Sequence, residues 1–223
     1  GIPAGMNITE EYIEKDLLRR MQGHGRGGRM KIEKDHAEIF SGVRHAVTLG
    51  SPISLLIKNF DWVNWEDRMA TGKPKKEHRK VSMPRPGHAD LAGVMKYGLD
   101  DIRNVLERSS ARETAMRVAI GAVCRKLLEE VGITVGSRVY QIHNIVDNTP
   151  VSNDMGLKEL NDTVDASPVR CFDKDAEKKM MDVIDEARNN GDSVGGSFEV
   201  IAKGLPYGLG TYINADGKLQ ARI

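Results

Sequence analysis

Glu107-Arg108-Ser109-Ser110-Ala111-Arg112-Glu113-Thr114-Ala115 contains, in Ser110 and Glu113, the S-x-x-E spacing of a capping box. In that motif the hydroxyl takes the N–H three residues on and the carboxylate reaches back to the cap's own N–H, so a helix starts here. Behind it Ala115, Val118, Ala119, Ala122, Val123, Leu127 and Val131 recur at helical spacing as far as Gly132, a residue able to adopt the left-handed conformation that ends helices. The spacing predicts a helix over 111–131 with one buried face and Cys124 as a small core residue.

Outward from this helix the pattern is mixed. Strands are expected over 30–33, 37–43, 53–59, 134–142 and 196–203, and further helices over 9–21, 90–106 and 174–189. Ile13, Leu17 and Leu18 form the apolar face of the first helix, which opens at Thr9 with Glu10 and Glu11 in its first turn. The strands come in clusters, which favours antiparallel pairing in an α+β fold over a doubly wound sheet. Residues 72–80, with Lys73, Lys75, Lys76, His78, Arg79 and Lys80, read as a mobile loop, a solvated charge run rather than a substrate lid. Residues 151–165 read as a polar surface connection.

Three segments point to a polyanionic ligand. The start of the capped helix offers free backbone N–H groups and a partial positive charge, to which Arg108 and Arg112 add permanent charges. In Pro84-Arg85-Pro86-Gly87-His88-Ala89-Asp90 the Pro-Gly pair makes a turn, Asp90 caps or enriches the first turn of the next helix, and His88 sits at its mouth beside Arg85. A bound phosphate there favours the imidazolium and turns it into a proton donor. In Arg19-Arg20-Met21-Gln22-Gly23-His24-Gly25-Arg26-Gly27-Gly28-Arg29-Met30, four glycines within six residues free the backbone, so that Arg20, Arg26 and Arg29 can fold over one anion. An RNA-binding RGG-like module is the alternative reading of this stretch. It is weakened by the lack of interleaved aromatics and a net charge of only +1.

The 223 residues are 39% apolar and 29% charged, the composition of a globular protein with a sizeable core. Apolar runs such as residues 53–57 are too short for a bilayer, and a cytoplasmic protein without membrane or nucleic-acid partners is expected. Cys124 and Cys171 lack the spacing of a disulfide framework or a zinc site, so free thiols and no metal are expected.

These stretches resemble the chorismate synthase family. The resemblance is carried by residues 19–33, by Ser41-Gly42-Val43-Arg44 and Thr48-Leu49-Gly50-Ser51-Pro52-Ile53, by the two segments around His88 and Ser110, and by Gly191-Asp192-Ser193-Val194-Gly195-Gly196 and Gly204-Leu205-Pro206-Tyr207-Gly208-Leu209-Gly210. It spans nearly the whole chain and implies one domain over 1–223, with helices sandwiched between antiparallel sheets. It also implies elimination of phosphate from 5-enolpyruvylshikimate 3-phosphate to give chorismate, with reduced FMN required and NADPH as a source of reductant, in a cytoplasmic homotetramer. By the same resemblance Arg20, Arg26, Arg29, Arg85, Ser110 and Arg112 look like substrate ligands, Arg108, Ser109 and Ser110 like part of the flavin site, and His88 like the proton donor beside the reduced flavin.

The family's opening Gly-Glu-Ser-His-Gly stretch and its long C-terminal part have no counterpart here, which implies a central portion of the enzyme. An inactive piece that keeps only the binding or assembly surface is therefore the alternative. Ala46 stands where the family often has glycine, and His143-Asn144 where a Gly-Gly pair is usual; the second is expected to alter a turn.

Overall fold

The computed structural model describes residues 2–26, 35–109, 111–218 and 221, without the side chains of residues 111 and 112. The strand expected over 30–33, Arg29 and Ser110 lie outside the described residues. The chain divides into two compact units, Gly1–Met21 with Gly27–Val123, and Gln22–Arg26 with Cys124–Ile223.

In the first unit, α1 (Glu10–Met21) begins as its residues dictate, with Thr9 Oγ1 accepting the Tyr12 N–H at 3.3 Å. Ile13 and Leu17 are fully buried, whereas Leu18 is 47% exposed and drops out of the expected apolar face. α1 packs on β1 (Ala37–Ser41), where Glu10 Oε1 accepts the Ile39 N–H at 2.6 Å. β1 pairs antiparallel with β4 (Ser54–Ile57). The single strand expected over 37–43 is broken at Gly42, whose φ of +83° turns the chain into the hairpin of β2 (Val43–Arg44) and β3 (Val47–Thr48). That hairpin turns on His45 and Ala46, both at positive φ (52° and 61°), as a tight primed turn demands.

The helix expected over 90–106 is two helices, α2 (Asp90–Tyr97) and α3 (Arg103–Leu106). Gly98 takes the left-handed conformation and closes α2 through its N–H to Val94 O, and Asp101 Oδ1 then accepts the Arg103 N–H at 2.9 Å. The two pack closely because Gly93 has no side chain: a Cβ there would stand 2.6 Å from Val105 Cγ1. α4 (Ala111–Glu130) buries Ala115, Ala119, Ala122 and Val123. Cys124 points away from that stripe and is exposed, not a core residue. Val131, beyond the helix end, is 63% exposed, and Ile133 after the Gly132 reversal is buried in its stead.

In the second unit β5 (Thr134–Ile142) is the centre of a sheet ordered β6-β5-β7, with β6 (Ile145–Val146) and β7 (Gly196–Lys203) both antiparallel to it. Residues 157–165, expected as part of a surface connection, form the helix α5 (Leu157–Asp165). Leu157, Leu160 and Val164 are buried, and Gly136 leaves room for the first two, which lie 3.3 Å from where its Cβ would be. The apolar positions i, i+3 and i+7 supply the stripe that the polar residues between them obscure. α6 (Lys174–Asn189) is capped by Asp173, which accepts the Asp175 and Ala176 N–H groups, and packs Ala176 and Met180 with Val169 and Cys171. Beneath it Asp147, fully buried, accepts the Phe172 N–H at 2.7 Å and the Thr149 N–H at 3.0 Å. Burial pushes its carboxyl up, but the bonds from Thr149, Phe172 and Asp173 together outweigh this and hold it below the ordinary range. Among the described residues no helix is long and apolar enough to cross a membrane.

Candidate anion site

Arg20 leaves the last turn of α1 and reaches two places at once. Its Nη1 donates to Asp35 Oδ2 at 2.7 Å and its Nη2 to Thr114 Oγ1 at 3.3 Å. Thr114 lies in the first turn of α4, so Arg20 reaches the helix that follows Arg108 and Ser109 in the chain. Arg108 is 84% exposed and 3.5 Å from Glu113 Oε2. Glu113 also pairs with Arg117 at 3.1 Å. Ser109 donates its hydroxyl to Val105 O at 2.7 Å.

Arg85 and His88 lie together just before α2, with Gly87 at φ +71° forming the turn between them. His88 is exposed. Arg85 is held from within the chain: its Nε and Nη2 each donate at 2.9 Å to Asp90, whose side chain has no exposed surface, while 43% of the Arg85 side chain stays exposed. The same interaction holds the Asp90 carboxyl down to about 2. Of the two expectations for Asp90, the second holds: it lies in the first turn of α2, while Ala89 stands at the cap position without a side-chain cap bond.

Arg26 belongs to the second unit, on a tight turn that precedes the residues left undescribed. His24 donates its N–H to Pro168 O at 2.8 Å, and its Nε2 sits 3.0 Å from Asp185 Oδ1 on α6. Gly25, at φ +74°, lies so close to α6 that a Cβ would meet Ile184 Cγ2 at 2.5 Å. The partners Asp35, Thr114, Asp90 and Asp185 were all missed from sequence. Residues 72–80 have no regular structure but are tied down: Asp67 accepts the Lys75 N–H and faces His78 Nε2, both at 2.6 Å, and Lys80 pairs with Asp100. Among the described residues no group of three or more His, Cys, Asp or Glu could hold a metal.

The arrangement is that of an α+β protein presenting guanidinium groups, held by the carboxylates of Asp35 and Asp90, at the entrances of helices. The chain belongs to the chorismate synthase family, whose model matches residues 1–223. It is 52% identical over 226 residues to the chorismate synthase of Geobacillus sp. (strain WCH70) and 52% identical over 229 residues to that of Bacillus subtilis (strain 168). Each alignment covers 100% of this chain and 58% of the relative, so the chain spans somewhat over half the length of the curated relatives it matches. A solved structure titled "Crystal Structure of Chorismate Synthase" superposes with a TM-score of 0.77 at 38% identity, over 100% of this chain and 57% of that one.

Proposed function

We propose that the protein carrying this chain converts 5-enolpyruvylshikimate 3-phosphate to chorismate and inorganic phosphate by 1,4-elimination, with reduced FMN required and NADPH as a source of reductant. The observation that supports the reading is Arg20 held on Thr114, which ties one guanidinium to the first turn of α4 in a chain matched end to end by the family. Arg20, Arg26, Arg29, Arg85 and Arg112, with Ser110 close by, hold the phosphate and carboxylates; planar, permanently charged forks suit such groups.

The donor set fits the phosphate end of a flavin mononucleotide in part. Arg108 is exposed before α4, Ser109 and Ser110 follow it in the chain, and Ser109 must turn from Val105 O before it can donate to a ligand. The reduced flavin supplies transient electron density that side chains lack. His88, exposed beside the Arg85–Asp90 pair, is the proton donor. The protein works in the cytoplasm as a homotetramer.

A second reading concerns the 223 residues by themselves. General acid–base chemistry needs each group within hydrogen-bond reach of the reacting atoms, and this chain spans 58% of its relatives' length. On that ground the isolated chain retains part of the anion-binding surface but turns over little or not at all. An anaerobic assay with substrate and reduced FMN decides both: no chorismate from the whole protein overturns the first reading, and normal rates from these residues alone overturn the second.

A further inference from the structure

The carboxylate of Asp90 is fully buried and accepts on both oxygens. It accepts the Arg85 backbone N–H and Nε–H on Oδ2 and the Nη2–H on Oδ1, all three at 2.9 Å. These bonds close residues 85–90 into a loop whose turn at Gly87 presents His88 to solvent. A guanidinium has five N–H donors in a rigid fork; two are spent on Asp90, and the remaining three lie toward its other edge. Arg85 keeps 43% of its side chain exposed while Asp90 has none, so the inner edge of the fork is fixed and the outer edge reaches solvent.

We propose that Asp90 is a positioning residue: it aims the outer edge of Arg85 at an anionic group of the substrate and fixes the turn that carries His88. An anion then meets directed N–H donors on a guanidinium with little rotamer freedom left to lose, which reduces the entropic cost of binding. Because Asp90 neutralises Arg85, geometry rather than net charge makes the contact. The inference rests on the reading of Arg85 and His88 as site residues.

The test uses the whole protein that carries this chain, with Asp90→Asn, Arg85→Lys and the two combined. It reads kcat, the KM for 5-enolpyruvylshikimate 3-phosphate, and hydrogen exchange at the Arg85 backbone and Nε–H groups. Asp90→Asn should raise KM and speed exchange at both Arg85 groups about tenfold each, and add little to Arg85→Lys, because both changes break one bidentate fork. A KM within about twofold of the unsubstituted value, or full additivity of the two changes, overturns the proposal. Should the unsubstituted protein bind no substrate, the functional reading fails, and exchange alone then judges the fork: unchanged rates in Asp90→Asn overturn it. Should Asp90→Asn not fold, Arg85→Lys at its half-exposed position carries the test, since a lysine keeps the charge but cannot fork; an unchanged KM overturns the proposal.

Discussion

Arg20 Nη2 donates to Thr114 Oγ1 at 3.3 Å, joining the end of α1 to the first turn of α4 across 94 positions of sequence. Thr114→Val removes that acceptor and leaves the Arg20 bond to Asp35 in place. The expected cost is about 0.5 kcal/mol, the low end for a hydrogen bond, since this one is exposed. Thr114→Ser should restore the loss, and urea unfolding of the three proteins measures it.

Gly25→Ala should be the more damaging change. It adds a Cβ at 2.5 Å from Ile184 Cγ2 and forces a non-glycine residue to φ +74°. Together these should cost about 2 kcal/mol. Ile184→Ala in the same chain removes the clash and not the dihedral strain, so thermal unfolding of the double variant should recover only part of the loss.

The β2–β3 hairpin carries the opposite opportunity. Ala46 sits at φ +61°, where a Cβ is penalised by 1–2 kcal/mol or so, and glycine gives back part of this through its freer unfolded chain. Ala46→Gly should therefore stabilise by roughly 0.5 kcal/mol net, read as a higher denaturation midpoint at unchanged slope. A fall in the midpoint would show that the turn is held from elsewhere.

The Arg85 hydrogen bonds, first from its side chain and then from its backbone, keep the Asp90 carboxyl at about 2, below the ordinary carboxylate value near 4. A depressed folded-state value means that the stabilisation is whole above about pH 4 and is lost as pH falls toward 2. A carboxyl carbon-13 titration should show the low midpoint in the unsubstituted protein. Arg85→Gln should move it up toward 4; a midpoint already ordinary before substitution would contradict the fork.

The two thiols should separate cleanly. Cys124 is exposed on α4, while Cys171 is buried and its thiol is pushed up chiefly by that burial. A thiol reagent near neutral pH should modify Cys124 in the folded chain and Cys171 only after denaturant is added, with mass spectrometry assigning each site.

Much of the scaffold was legible in outline: β5, β7 and α6 run over the residues expected. The faces of β7 were not, since its apolar Phe198 and Val200 are exposed while Ser197, Glu199 and Ile201 are the half-buried positions. α5 was missed because its three buried residues are separated by Lys158, Glu159, Asn161, Asp162 and Thr163, which read as loop until the face is projected. The break between α2 and α3 turns on one left-handed glycine, and glycine is tolerated in helices often enough to hide it. At the candidate site the residue types were readable but their partners were not. An arginine in a loop has the same chemistry whether it faces a ligand or a carboxylate five residues on, and only the folded backbone brings Asp90 beneath Arg85.

The turn at Gln22–Arg26 follows α1 directly in the chain, yet His24 and Gly25 find their neighbours at Pro168, Ile184 and Asp185. During synthesis the ribosome must add roughly a further 160 residues after this turn before its seat exists, a closure whose entropic cost grows only slowly with length. A nascent chain halted after α4 would therefore hold the turn at residues 22–26 without its seat on Pro168, Ile184 and Asp185.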